Sequence, residues 1–245
     1  MTCQSNSLSA PTCDADGNFA CPPTPGALLK KTPATLRSMP VYAYIVTTIK
    51  TRSPGFQLQQ TGCAPNFDGG RLTLCTCKRK DRATFRPTNS PDDPWKNVWV
   101  AGLTSKRESP SRSLAYLMCV ERSFMSQMEL WRALPKNCLR AKSAAVSPLG
   151  DLFEPKAEAS NNRYDPINYY PPVVGHVHSN EWHRDIMQWG RWSKPHRLLL
   201  GQTTQSYRWK DVKMVLKDGA LGISAHHRMY DSLSEFMSDL QKFDL

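Results

Sequence analysis

The stretch Thr61-Gly62-Cys63-Ala64-Pro65-Asn66-Phe67-Asp68-Gly69-Gly70-Arg71-Leu72-Thr73-Leu74-Cys75-Thr76-Cys77-Lys78-Arg79 decides how this chain is read. It joins a tight turn to an alternating segment that ends in cations. Pro65 and Asn66 set and tolerate turn dihedrals, and Gly69-Gly70 lets the backbone approach a ligand with no Cβ in the way. From 72 onward, Leu72, Leu74, Thr76 and Lys78 fall on one face and Thr73, Cys75, Cys77 and Arg79 on the other. The pattern predicts a strand over 71–78 with an apolar base and a terminal cation on each face, built around an anionic ligand.

Working outward, Val41 to Thr48 is rich in β-branched and aromatic residues and predicts a central strand. Residues 50–66 read as a polar loop. Further strands are predicted at Asn97 to Gly102 and Ser113 to Glu121, joined by a polar cationic hairpin loop over 103–112. The period then lengthens through Phe124, Met128 and Trp131, with Ser126 and Glu129 as a capping box, predicting a helix that ends before Pro135. Residues 135–162 read as a surface insertion and Arg197 to Gly201 as a last short strand. Ser232, Glu235 and the apolar stripe Leu233, Phe236, Met237, Leu240 and Phe243 predict a terminal helix. Residues 1–39, rich in Ser, Thr, Pro and Ala, read as a disordered or loosely attached tail. No internal repeat is found. The expected architecture is one α+β domain over 40–245, with a mainly antiparallel, barrel-like sheet and a few helices.

A net charge of +11 over 245 residues favours a polyanionic partner, DNA or nucleotides first, over an acidic protein or a neutral metabolite. No run of apolar residues is long enough to span a membrane, and the first residues lack the cationic start and apolar middle of a secretory signal. The chain is therefore expected to be soluble and intracellular, cytoplasmic in a prokaryote. The eight cysteines are then expected to be reduced, with Cys75, Cys77 and Cys119 as small core residues. Cys3, Cys13 and Cys21 match no common zinc spacing.

A set of motifs carries a resemblance. Tyr44-Ile45-Val46-Thr47, Gly62-Cys63-Ala64-Pro65-Asn66 with Gly69-Gly70, Leu74-Cys75-Thr76-Cys77-Lys78, Trp99-Val100-Ala101-Gly102 with Thr104-Ser105-Lys106, and Leu114-Ala115-Tyr116-Leu117-Met118 with Val120-Glu121 follow one another in an order and spacing that resembles the second type of nucleotide-modification-associated domain. The likeness covers residues 41–132 and continues more loosely to 201 through Asp165, Asn168, Tyr169, His183 and Leu198-Leu199-Leu200. It departs at 50–61, where the first loop is enlarged, and at Lys96-Asn97, where a Gly-Asp turn would stand. The resemblance implies a context in the metabolism of modified DNA bases and no particular reaction. By analogy of fold, the pattern also looks like the small PUA, ASCH and EVE barrels that hold modified bases.

A base pocket needs an aromatic face, edge-reading polar groups and cations for phosphate. The candidates are Tyr44, Phe67, Trp99, Tyr116 and Tyr169 for the face, with Trp99 and Tyr116 more simply core, Asn66, Thr76, Thr104, Ser105 and Asn168 for the edges, Gly69 and Gly70 for close backbone approach, and Lys78, Arg79, Lys80, Arg82, Lys106, Arg107 and Arg112 for phosphate; Gly102 belongs to the same nucleotide-binding set. Asp165, His183 and Lys78 are the candidate catalytic residues if the protein is an enzyme acting on a modified base. His176 and His178 share one face of an extended segment, but the spacing does not complete a zinc motif, and no metal is expected. No phosphate-loop or dinucleotide fingerprint is present, so no cofactor is implied. A basic protein that binds polyanions without a pocket is the third reading.

Overall fold

A computed structural model describes residues 21–52, 56–76, 78–107, 111–157, 162–177, 180–187, 196–221 and 226–244. Their centre is a curled six-stranded mixed sheet in the order β4-β7-β6-β5-β1-β9. The strands are β1 (Val41–Val46), β4 (Thr73–Leu74), β5 (Trp99–Thr104), β6 (Leu114–Phe124), β7 (Leu198–Arg208) and β9 (His227–Tyr230). The interior strands carry Val, Ile, Leu, Tyr and Trp on both faces and are almost wholly buried, as expected of a sheet covered on two sides.

Four of the five pairings are antiparallel, whereas β1 runs parallel to β5 with Val41 opposite Trp99 and Val46 opposite Thr104. The sheet is thus mixed rather than purely antiparallel, and it stays open as a half-barrel with β4 and β9 at its edges. A parallel pair needs a crossover. Here residues 47–98 supply it, and the glycine turn lies within that crossover.

Several expectations change. The polar loop of 50–66 contains a hairpin of β2 (Ile49–Arg52) and β3 (Gln57–Gln60). The strand expected over 71–78 is only the two residues of β4; Lys78 then turns left-handed at φ 55° and opens helix α3 (Arg79–Thr84). Arg82 reaches back from α3, fully buried, and donates to the Cys75 carbonyl at 2.6 Å, which leaves the segment bent rather than extended.

The tail reading also ends early, because residues 25–31 form helix α1 (Pro25–Lys31). Thr24 caps it, Pro25 occupies its first turn, and its Leu28 is fully buried. Helix α2 (Ala34–Arg37) follows, and the Trp99 indole donates to the Leu36 carbonyl at 2.8 Å. Residues 1–20, with Cys3 and Cys13, lie outside the described residues.

Helix α4 (Gln127–Ala133) forms with the Ser126 cap, and the Glu129 carboxylate in turn accepts from the Met125 N–H. The expected surface insertion is exposed in part, at Pro135 to Asn137 and at Val146, Pro148 and Leu149, and in part joins the core: α5 (Lys136–Lys142) buries Cys138 and Lys142, and Asp151, Leu152 and Phe153 are fully buried. Helix α6 (Trp182–Met187) lies against the short 3-10 turn Pro166–Asn168. Helix α7 (Leu233–Ser238) starts at Ser232 as expected. It stops before Leu240, which belongs to β10 (Leu240–Lys242), paired with β8 (Met214–Leu216). The five described cysteines, Cys21, Cys63, Cys75, Cys119 and Cys138, form no disulfide with one another.

Candidate functional site

The glycine turn is held from behind by a buried polar lock. Lys142 Nζ donates to the Asn66 carbonyl at 3.2 Å, to Asn66 Oδ1 at 2.8 Å and to Thr73 Oγ1 at 2.9 Å, using all three of its donors. The Thr73 hydroxyl in turn donates to Asp151 Oδ1 at 3.0 Å. Burial lowers the Lys142 pKa and raises that of Asp151, and the attraction between the two opposes both shifts. Asn66 Oδ1 also receives the Asp68 N–H, and its amide donates to the Leu149 carbonyl. Asn66 is therefore committed to the fold and is not an edge reader.

The glycines serve the same turn. Gly69 and Gly70 have φ of 70° and 71°, and the Cys138 thiol donates to the Gly69 carbonyl at 2.8 Å. A Cβ on Gly69 would stand 2.9 Å from Cys138 Cα. Backbone approach is used here to seat the turn on α5.

On one face of the sheet the aromatics meet. Tyr116 Oη lies 2.6 Å from Tyr44 Oη, Phe67 sits edge-on to Tyr116 at 5.8 Å, and Lys78 Nζ stands 5.5 Å over the Tyr44 ring. Gly102 makes room for this packing, since a Cβ there would fall 2.0 Å from Tyr116 Cε1. Tyr44, Phe67, Gly102 and Lys78 are thus brought together, but the rings are buried and form a floor rather than an open slot.

The remaining candidates are dispersed. Thr76 is buried with its hydroxyl 3.4 Å from Cys63 Sγ. Thr104 is buried in the β5–β6 hairpin, accepting from the Ser113 N–H and donating to the Ser111 carbonyl. Ser105 caps the Arg107 N–H, and Lys106 pairs with Asp218 at 2.9 Å on the surface. Asn168 and Tyr169 bond to the carbonyls of Asn162 and Arg163, and Tyr169 packs with Phe153 and Ile186. Asp165 caps the turn ahead of Ile167, His183 is exposed on α6, and among the described residues no hydrogen bond or ion pair joins either to Lys78. His176 is buried against the Gly150 carbonyl, and His178 lies outside the described residues.

An open concavity lies elsewhere among the described residues, along the β2–β3 hairpin. A groove of about 540 Å³ is lined by Arg52, Gln57, Leu58, Gln59, Gln60, Arg208, Lys210 and Asp211. Its three cations face one carboxylate. Arg208 lies half-buried at its base with the guanidinium 4.4 Å over the Phe67 ring. Burial lowers its pKa, with the Asp68 charge acting the other way, and among the described residues no carboxylate forms an ion pair with it. Gln60 joins the groove to the glycine turn, since its amide donates to the carbonyls of Gly62 and Pro65 at 2.7 Å each.

Set beside family models, curated proteins and solved structures, the chain matches none.

Arg52, Gln57, Gln59, Arg208 and Lys210 are absent from the sequence-derived site. The hairpin was signalled by the two-residue period of Ile49-Lys50-Thr51-Arg52 and Gln57-Leu58-Gln59-Gln60. Arg208 and Lys210 carried no such signal, because it is the bridge between Gln57 and Asp211, with the Leu58 N–H donating to the Lys210 carbonyl, that sets them beside residues about 150 positions earlier in the chain.

Proposed function

We propose that the protein binds nucleotides or nucleic acid at the Arg208 groove, and that the ligands it distinguishes are modified bases. The carrying observation is Arg208: a half-buried guanidinium, without an ion-paired carboxylate among the described residues, at the base of a cationic groove of nucleotide size. Such a cation is incompletely solvated and gains most from an incoming phosphate, which a guanidinium takes in two parallel hydrogen bonds. Gln57 and Gln59 offer an amide donor and acceptor each, the pair of groups that a base edge requires. The net charge of +11 supports the same reading by attracting polyanions over a distance. The choice of modified bases rests on the motif likeness.

The test is fluorescence anisotropy with single-stranded oligonucleotides and free nucleotides, modified and unmodified. Arg208→Gln is expected to weaken binding about 10- to 100-fold, the range for charge-assisted hydrogen bonds. Equal affinity of Arg208→Gln and the parent chain defeats the assignment. Equal affinity for every base removes the modified-base part and leaves a general nucleic-acid binder.

A further inference from the structure

At the opposite edge of the aromatic floor, beside β9, stands a second set of polar side chains. Tyr42 Oη donates to Asp81 Oδ2, and His227 Nδ1 lies 3.7 Å from that same oxygen. The elements explain the meeting. Tyr42 and Tyr44 are two residues apart on β1 and share a face, and His227 of β9 is the antiparallel partner of Tyr44, so its ring falls on that face too. Asp81 comes down onto it from α3. The imidazole lies 5.8 Å from the Tyr42 ring and edge-on to Phe85 at 5.3 Å.

Asp81 gives the buried Tyr42 hydroxyl its acceptor, which explains Tyr42 and Asp81 but not the imidazole beside them. The His227 side chain is 38 % exposed, against 13 % for Asp81. With Nδ1 turned to the carboxylate, Nε2 points to the other side of the ring, and among the described residues no hydrogen bond occupies it. Asp81 is itself fixed by Tyr42, whose hydroxyl is kept protonated by burial first and by the bond to Asp81 second. An imidazole oriented by a carboxylate, that carboxylate held by a third group, and the far nitrogen open is the arrangement of a general base and its orienter. The 3.7 Å separation exceeds a hydrogen bond, as is common before a ligand tightens such a pair. Lys78, over the Tyr44 ring, supplies a cation on the same floor.

We propose that His227 is the general base of a phosphodiester-hydrolysing site, with Asp81 as its positioning residue and Lys78 as the phosphate-binding cation. His227 Nε2 takes a proton from water, and the water oxygen bonds to phosphorus as the bond to the leaving oxygen breaks. The departing oxygen, on the far side, takes a proton from solvent, and the imidazolium returns its own. The products are a phosphomonoester and an alcohol, and Lys78 bears the charge that builds on the non-bridging oxygens. The proposal rests on the nucleic-acid reading only for the choice of substrate.

Hydrolysis of bis(p-nitrophenyl) phosphate, and of fluorogenic DNA and RNA oligonucleotides, tests it. The parent chain is expected to release p-nitrophenolate. His227→Gln and His227→Ala should each lower kcat by about 100-fold or more, the usual share of a general base. Asp81→Asn should lower kcat with KM unchanged, and Asp81→Glu should restore part of it, a split that a merely structural carboxylate would not produce. Thermal melts confirm that each variant is folded. Turnover no greater than buffer, or equal in parent and both His227 variants, overturns the proposal. The oligonucleotide arms show whether the diester comes from DNA or RNA. Anisotropy in the same samples separates the two readings: turnover without binding at the groove defeats the groove and spares His227, and binding without turnover does the reverse.

Discussion

The Lys142 ammonium and the Asp151 carboxylate, both fully buried, meet across a single hydroxyl: Thr73 Oγ1 accepts from Lys142 at 2.9 Å and donates to Asp151 at 3.0 Å. Each member explains the other. Removing the ammonium by Lys142→Met leaves Asp151 with a buried charge and takes one donor each from Thr73 Oγ1, Asn66 Oδ1 and the Asn66 carbonyl. Breaking a buried pair costs about 3–5 kcal/mol, so urea unfolding should show a loss of that size. The double variant Lys142→Met with Asp151→Leu should lose less than the sum of the two single losses.

Gly69 and Gly70 share a left-handed backbone and differ in surroundings. For Gly70→Ala, nothing lies within 4 Å of the new Cβ, so the expected cost is the intrinsic one, about 1–2 kcal/mol. Gly69→Ala adds a contact of 2.9 Å with Cys138 Cα and should cost more. Paired denaturant titrations check the order; the reverse order would mean that α5 is not seated on the turn.

Gly102→Ala should disturb the aromatic floor directly, because the new Cβ would lie 2.0 Å from Tyr116 Cε1. Overpacking of this kind costs about 1–3 kcal/mol or more. The displaced Tyr116 should also give up its bond to Tyr44, which near-UV circular dichroism reads as a changed tyrosine signal.

His196 gives a pH dependence with a definite sign. Burial, then the charges of Arg82 and Arg79, hold its pKa well below the ordinary value. The folded state therefore keeps it neutral while the unfolded chain takes up a proton below about pH 6.5. Stability should fall as pH drops from 6.5 toward the folded pKa, by up to about 1.4 kcal/mol per pH unit from this group. His196→Gln should flatten that slope between pH 7 and 5 in urea titrations.

Salt dependence distinguishes the groove residues. Lys210, exposed at the rim, should lower the slope of log affinity against log salt by about 1 when changed to Ala, for all sequences alike. Arg208→Gln should in addition lower the affinity that persists at high salt.

The strands β1, β5 and β6 and both capping boxes were legible because their signals are local: Ser126 with Glu129, and Ser232 with Glu235, are three residues apart. Helix α1 carried an equally local signal in Thr24-Pro25, but a composition rich in Ser, Thr and Pro outweighed it. The strand expected over 71–78 failed through a long-range cause, since Arg82 and the β7 strand bend the chain after Leu74. The site was harder still. Asn66 and Thr73 have the chemistry of ligand contacts, and only the return of Lys142 and Asp151 from a region that reads as an insertion shows them to be spent inside the protein.

The pairing of β1 with β9 has a consequence for biosynthesis. Val41 has Tyr230 on one side and Trp99 on the other. As the chain leaves the ribosome, β1 can join β5 and β6 early, while its other edge stays open until residues 227–230 emerge. During that interval the Ala43 and Ile45 amides, of which Ile45 finally donates to the His226 carbonyl, face solvent on an apolar strand, the form most prone to pair with another nascent chain. Slow translation between residues 124 and 227 should therefore cost yield, and shielding of this edge by a chaperone should restore it.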